Sequence, residues 1–279
     1  MSTLQTALQP APLRRKNLII LRAGDASLHR GWIADGARDF DLLISYYGQQ
    51  PDLHKEDADH YEMRRGPKWS CIADLLRENP ELIQQYEAFW FPDDDLSAST
   101  ETLNRMFALF HGFNLALAQP ALTADSYYSW STLLQKPEHV MRHVGFVEVM
   151  APLFERQALR ACVSTFGESR SGWGLDWVWP TLAGKGRDDA IAILDATPVK
   201  HTRPLGGDLY RNNPELDPRR DGQALLERYQ LGDQRFTSKY QLNSVIAKTQ
   251  AHWRLRLKMW LGLVNSRRRQ RRQARKTVG

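Results

Sequence analysis

Short, nearly continuous apolar runs alternate with longer stretches in which apolar residues fall at helical spacing. Residues 17–22 (Asn-Leu-Ile-Ile-Leu-Arg) and 40–47 (Phe-Asp-Leu-Leu-Ile-Ser-Tyr-Tyr) have the length and β-branched content of buried strands. Residues 28–37 between them are long enough for a crossover helix, which predicts a parallel strand–helix–strand start. Residues 61–79 carry Trp69, Ile72, Leu75 and Leu76 at helical spacing. Residues 86–91 read as a third buried strand, ending in Asp93, Asp94 and Asp95. Residues 97–111 follow as an amphipathic helix with Leu103, Met106, Phe107 and Phe110 on one face and Ser97 or Ser99 as cap. Further strands are expected at 115–120, at 144–152 with Glu148 as its single charge, and at 191–195. Helices are expected at 154–166, 223–229 and 239–264. The fold class is α/β: a mixed, mainly parallel sheet flanked by helices, with a helical extension at the C-terminal end.

Composition adds boundaries. Residues 1–16 read as a disordered lead, 17–207 as the α/β domain, 208–249 as linker and helical extension, and 250–279 as a basic helix and tail. The formal charge is +6, yet ten Lys/Arg and no acid lie from Arg254 onward. Removing those ten leaves −4, so the body is mildly acidic and the basicity belongs to the tail. Trp253, Leu257, Trp260, Leu261 and Val264 share one helical face there, with Arg254, Arg256 and Lys258 beside it and a polybasic run at 267–276. That pattern suits an anionic membrane surface; a docked helix with a solvated tail, or nonspecific nucleic-acid contact, fits the same residues. Cys71 and Cys162 are far apart and lack ligand spacing, which suggests reduced structural thiols. No signal peptide or transmembrane stretch is read, so the expected place is the cytoplasm, with peripheral attachment at the inner membrane face through the tail.

The chemistry-bearing residues stand at run ends. Three adjacent carboxylates repel unless a cation sits among them, and Mg²⁺ or Mn²⁺ is the natural partner. An acidic preface to the following helix is the alternative. Ala23, Gly24, Asp25 and Ser27 form a small-residue turn after the first strand: a ligand loop or a plain turn. Lys68, near a helix start, either meets a phosphate or is solvated. In Trp173-Gly174-Leu175-Asp176, the carboxylate among tryptophans either serves as a base of raised pKa or caps a short helix. His201, past the last strand, is a metal ligand or a structural histidine.

The order of these features resembles GT-A-type glycosyltransferases, with an Asp-x-Asp motif, a later acid in a Gly-rich aromatic setting and a downstream His. Phe89-Trp90-Phe91-Pro92-Asp93-Asp94-Asp95, residues 118–122, residues 145–154 and Trp173-Gly174-Leu175-Asp176 resemble segments of the domain-of-unknown-function 707 family, over about residues 17–207. The resemblance implies a Rossmann-like GT-A fold and a metal-dependent glycosyltransferase using a nucleotide-sugar donor and a glycan or lipid-linked acceptor. It implies metal ligation by Asp93, Asp95 and His201. It implies donor contacts from Ala23, Gly24, Asp25, Ser27, Lys68, Asp94, Trp173 and Gly174, and proton acceptance by Asp176 with Glu148 in reserve. A non-catalytic nucleotide-sugar or glycan-binding protein of the same fold, or a metal-dependent phosphodiesterase, are the rival functions.

Overall fold

A computed structural model describes residues 15–205, 217–232 and 241–248. The lead, the middle of the expected linker and the expected membrane-facing helix and polybasic run lie outside the described residues. The chain divides into a unit of residues 1–246 and a second of 247–279.

In the first unit, strands β1 (Asn17–Ala23), β2 (Phe40–Tyr46) and β3 (His60–Met63) and β4 (Ala88–Trp90) pair in parallel in the order β3-β2-β1-β4. All seven residues of β1 are buried, as expected of a strand covered on both faces. Beyond β4 the sheet is mixed. β8 (Leu153–Glu155) runs antiparallel to β4 and to β6 (Leu117–Leu122), β9 (Ile191–His201) is parallel to β6, and β7 (His139–Val144) is antiparallel to β9. β10 (Leu242–Ala247) lies at the edge beside β7, and short β5 (Leu96–Ser97) pairs with the end of β9. The helices are α1 (Lys68–Glu78), α2 (Glu81–Gln85), α3 (Thr100–Gly112), α4 (Arg156–Cys162), α5 (Leu175–Gly184) and α6 (Pro218–Arg228). Ser99 caps α3 by accepting from the Thr102 amide at 3.2 Å, and the expected apolar face is the buried one.

Several expected elements take another form. Residues 28–37 hold only a 3₁₀ turn, His29–Trp32. Gly36 has a φ of +75°, which opposes helix continuation. The turn is anchored by buried Trp32, whose indole donates to Leu96 O at 2.8 Å. The expected helix at 61–79 begins only at Lys68, after Gly66 (φ +132°) and Pro67, and 60–63 form β3 instead. Residues 145–152 are a buried loop, not a strand. Their carbonyls serve Trp90, Phe91, Asp93 and Lys68 instead of a ladder. Residues 242–247 are a strand where a helix is expected, and α6 packs on α5, with Gly174 against Gly222. Cys71 and Cys162 are buried free thiols, as expected. Among the described residues no helix is long and apolar enough to cross a membrane.

One buried ion pair ties β7 to β9. Arg142 donates to both Asp195 oxygens, at 2.8 and 3.0 Å, and Asp195 also accepts from the Lys136 amide at 2.7 Å. Asp195 is fully buried. Removing one partner strands the other charge, so Asp195→Ala should cost about 3–5 kcal/mol in chemical denaturation. A loss under about 1 kcal/mol would show that solvent reaches Arg142 and relieves it.

Candidate active site at the carboxyl ends of β1 and β4

The order β3-β2-β1-β4 reverses direction between β1 and β4, and such switch points open a crevice at the carboxyl ends of the strands. The turn after β1 and the three aspartates after β4 both end there. The aspartates follow β4 in irregular backbone and a turn, so their side chains fan in three directions.

Asp94 turns to β1. Its Oδ2 accepts from the Gly24 amide at 2.7 Å and the Tyr47 hydroxyl at 3.1 Å, and its Oδ1 accepts from Arg203 at 3.0 Å. Arg203 also donates to Ala26 O at 2.6 Å. Desolvation, then Asp94, drives the Tyr47 pKa upward, so the phenol stays protonated as a donor. The 23–27 turn is thus fastened to the acidic cluster. Asp25 accepts from the Tyr46 hydroxyl, and Ser27 Oγ lies 2.8 Å from His29 Nδ1.

Asp93 turns to Lys68, at 2.7 Å. The Lys68 ammonium also donates to the carbonyls of Phe91 (2.8 Å), Val149 (3.1 Å) and Met150 (3.0 Å). Burial draws the Lys68 pKa down and the Asp93 pKa up, and the ion pair opposes both. The ion pair does not reverse either shift, and the Lys68 nitrogen has four oxygens for its hydrogen bonds. In this arrangement Lys68 fastens the aspartate turn to the 149–150 loop, and its hydrogens are taken by the protein.

Asp95 turns to His201. It immediately precedes β5, whose Leu96 is opposite His201 on β9. That register brings Asp95 Oδ2 to 3.2 Å from His201 Nε2. His201 is the last residue of β9, not a residue past it, because the strand runs on through Thr197-Pro198-Val199-Lys200. The other ring nitrogen, Nδ1, is 2.8 Å from Tyr127 O and must donate to it. Nε2 therefore presents a lone pair to a carboxylate unless a proton or a metal ion lies between. Burial lowers the His201 pKa, but Asp95, the Tyr127 carbonyl and Asp93 together outweigh it and the net shift is upward. Asp95 Oδ1 is buried without a hydrogen-bond partner. The three expected metal ligands are not gathered into one set, since Asp93 is paired with Lys68. An imidazole held through Nδ1 by a carbonyl and aiming Nε2 at a carboxylate nevertheless fits a metal ligand pair.

Glu148 and Asp176 lie in the later part of the chain. Glu148 is buried in the 145–152 loop, with its amide donating to Gln119 Oε1 and its side chain bonded to Ser129. Burial raises its pKa, and it shares the field of Asp93, His201 and Lys68. Asp176 is buried in the first turn of α5, after Gly174 (φ +88°) as N-cap. A Cβ on Gly172 (φ +82°) would meet Trp69 Cδ1 at 2.9 Å and Val149 at 4.0 Å. The glycine-rich entry to α5 thus lies against the loop that carries the Lys68 contacts. Trp173 remains 42% exposed, and Tyr127 and Tyr128 are 48% and 43% exposed.

Tyr47, Gln119 and Arg203 carry no local signal of a site role, because each belongs to the site only through topology. The three-residue combination of His29, His54 and Asp57 is also invisible locally. It is the sole group among the described residues in which three metal-ligating side chains bring their atoms within 4.8 Å of one another.

No curated protein matches the chain by sequence. The crystal structure of Staphylococcus aureus TarS residues 1–349 in complex with UDP-GlcNAc is similar at 12% identity and a TM-score of 0.50, covering 80% of this chain and 73% of that one. The crystal structure of GalNAc-T7 with UDP, GalNAc and Mn²⁺ is similar at 8% identity and a TM-score of 0.52, covering 69% of this chain and 44% of that one. A family model described as "Protein of unknown function (DUF707)" matches residues 132–244. The matched residues include Glu148, Asp176 and His201 and extend past the expected boundary at 207, but not back to the aspartates after β4. The chain has the fold of the GT-A-type glycosyltransferases and carries the DUF707 match over residues 132–244.

Proposed function

We propose that the chain is a metal-dependent glycosyltransferase that moves a sugar from a nucleotide-sugar donor to a glycan or lipid-linked acceptor. The observation that carries this reading is the Asp95–His201 pair, in an aspartate cluster that Asp94 ties to the 23–27 turn and Asp93, through Lys68, to the 149–150 loop. The nucleoside lies along residues 23–27. The diphosphate lies over the aspartates, within reach of half-exposed Arg203. Asp95 and His201, with Asp93 nearby, would hold a Mn²⁺ or Mg²⁺ ion, which would supply positive charge to offset that building on the departing diphosphate.

The remaining chemistry belongs to side chains. Trp173, Tyr127 and Tyr128 offer exposed rings on which sugar faces stack. The acceptor hydroxyl gives its proton to Asp176, its oxygen bonds to the anomeric carbon, and the diphosphate leaves with the electron pair of the broken C–O bond. That single displacement inverts the anomeric centre. Asp176 is favoured over Glu148 as base for a physical reason. Both carboxylates are buried, but the first turn of α5 stabilises an anion at Asp176, whereas Glu148 sits in a loop without such a helix end and burial raises its pKa. The basic segment at 267–276 is the proposed contact with an anionic membrane surface.

A thermal-shift comparison tests the donor class. UDP with Mn²⁺ at about 100 times its dissociation constant adds about 2.7 kcal/mol, a rise of about 5–10 °C for a domain of this size. Each component alone should give much less. If no nucleoside diphosphate or nucleotide sugar shifts melting in the presence of Mn²⁺, the reading is wrong.

A further inference from the structure

We propose that His29, His54 and Asp57 form a Zn²⁺ site, separate from the Asp95–His201 pair. The three residues come from two 3₁₀ turns. His29 opens the turn His29–Trp32, Asp57 closes the turn Lys55–Asp57, and His54 immediately precedes the latter. His29 Nε2 is 3.2 Å from Asp57 Oδ2, and His54 Nδ1 is 3.8 Å from that oxygen. All three ligand atoms lie within 4.8 Å of one another. Tetrahedral Zn²⁺ with ligands at 2.0–2.1 Å separates donor atoms by about 3.3 Å, so the set closes with a contraction of at most about 1.5 Å.

The hydrogen bonds on the far side of each ring point the same way. His54 Nε2 is 3.2 Å from Gly24 O, a carbonyl, so Nε2 carries a proton and, in the neutral ring, Nδ1 is a bare lone pair. The His54 side chain is 5% exposed, and Nδ1 is buried with no hydrogen-bond partner. A buried lone pair facing a carboxylate is costly unless a cation lies between them. His29 Nδ1 is 2.8 Å from Ser27 Oγ, which can accept its proton and free Nε2 as the second ligand. Both imidazoles thus have an oxygen on the distal nitrogen, the outer-shell arrangement that orients ligating histidines. Two imidazoles and a carboxylate suit Zn²⁺ better than Mg²⁺ or Ca²⁺, with one position left for water. Arg30 donates to Asp57 Oδ2 at 3.0 Å from an exposed position, and this contact must loosen when the oxygen takes a metal. The ion would clip the two turns together beside the Gly24 carbonyl, bracing the 23–27 turn from behind.

The test uses the full-length chain with Asp95→Asn and His201→Gln, so that the other pair cannot bind metal. After removal of metal by a chelator, Co²⁺ is titrated and followed by its visible absorption, then displaced with Zn²⁺. One equivalent should bind, and adding His54→Gln or Asp57→Asn should weaken binding at least 100-fold. Proton NMR of the Co²⁺ form should show two shifted, exchangeable imidazole N–H signals, from His29 Nδ1 and His54 Nε2. This readout does not depend on the added variants folding. Absence of stoichiometric Co²⁺ binding, unchanged affinity in both added variants, or fewer than two such signals would overturn the assignment.

Discussion

Asp95→Ala should abolish the Mn²⁺-dependent part of nucleoside diphosphate binding. In the wild-type chain Asp95 Oδ2 faces His201 Nε2 at 3.2 Å, and Oδ1 is buried with no hydrogen-bond partner. Because Tyr127 O occupies Nδ1 of His201, the ring cannot turn its lone pair elsewhere without losing that bond. The variant leaves one nitrogen where there was a nitrogen–oxygen pair. Loss of outer-shell partners alone costs about 10–100-fold in metal affinity, so loss of a direct ligand should reach at least the upper value. Calorimetry with UDP should then give the same weak dissociation constant with and without Mn²⁺. Asp95 also orders its surroundings, since its carbonyl accepts from Thr202 at 2.9 and 3.1 Å. Those are backbone contacts that alanine retains, so the fold should persist, and circular dichroism checks it. A variant that still binds UDP more tightly with Mn²⁺ than without would remove Asp95 from the metal role. His201→Gln should repeat the loss, because neither residue supplies two ligand atoms from its present position.

The parts of this architecture that are readable in sequence are those whose cause is local. β1 and β2 appear as apolar runs because both faces are buried, and α3 appears through the spacing of Leu103, Met106, Phe107 and Phe110 and the Ser99 cap. Residues 145–152 mislead for the same reason. Burial makes a segment apolar whether its carbonyls face a neighbouring strand or, as here, Lys68 and the indole of Trp90. The crossover after β1 is misread because ten residues suffice for a helix by length, whereas Trp32 fills the space with a single turn. At the site, the run of three aspartates is conspicuous, but the division of labour among them is not. Strand spacing would send Asp93 and Asp95 to one side. The turn instead gives Asp93 to Lys68, Asp94 to Gly24 and Arg203, and Asp95 to His201. The Asp95–His201 part of that division is set by the pairing of β5 with β9, a contact between residues about a hundred positions apart. His29, His54 and Asp57 are harder still, because no repeat or spacing joins residues carried by two separate short turns.

The largest effect on turnover is expected from Asp176→Asn. The amide is nearly isosteric, so the first turn of α5, its Gly174 cap and the packing of Gly174 on Gly222 should be kept. What is lost is the capacity to take a proton. General base catalysis contributes about 10²–10⁴-fold, and transfer should fall by that factor while UDP–Mn²⁺ affinity stays within about twofold. A fall in transfer at unchanged donor affinity separates the base from the donor site, in which Asp95→Ala acts on binding first. Glu148→Gln is the necessary companion. Glu148 lies in the field of Asp93, His201 and Lys68, so exchanging its carboxyl for an amide should alter donor binding as well as rate. If Asp176→Asn retained near-normal transfer and Glu148→Gln lost it at unchanged donor affinity, the proton-accepting role would pass to Glu148. The buried carboxyl beside the acidic cluster would then deliver its effect from the 145–152 loop, and the glycine-rich entry to α5 would be left with the task of presenting Trp173 to the sugar.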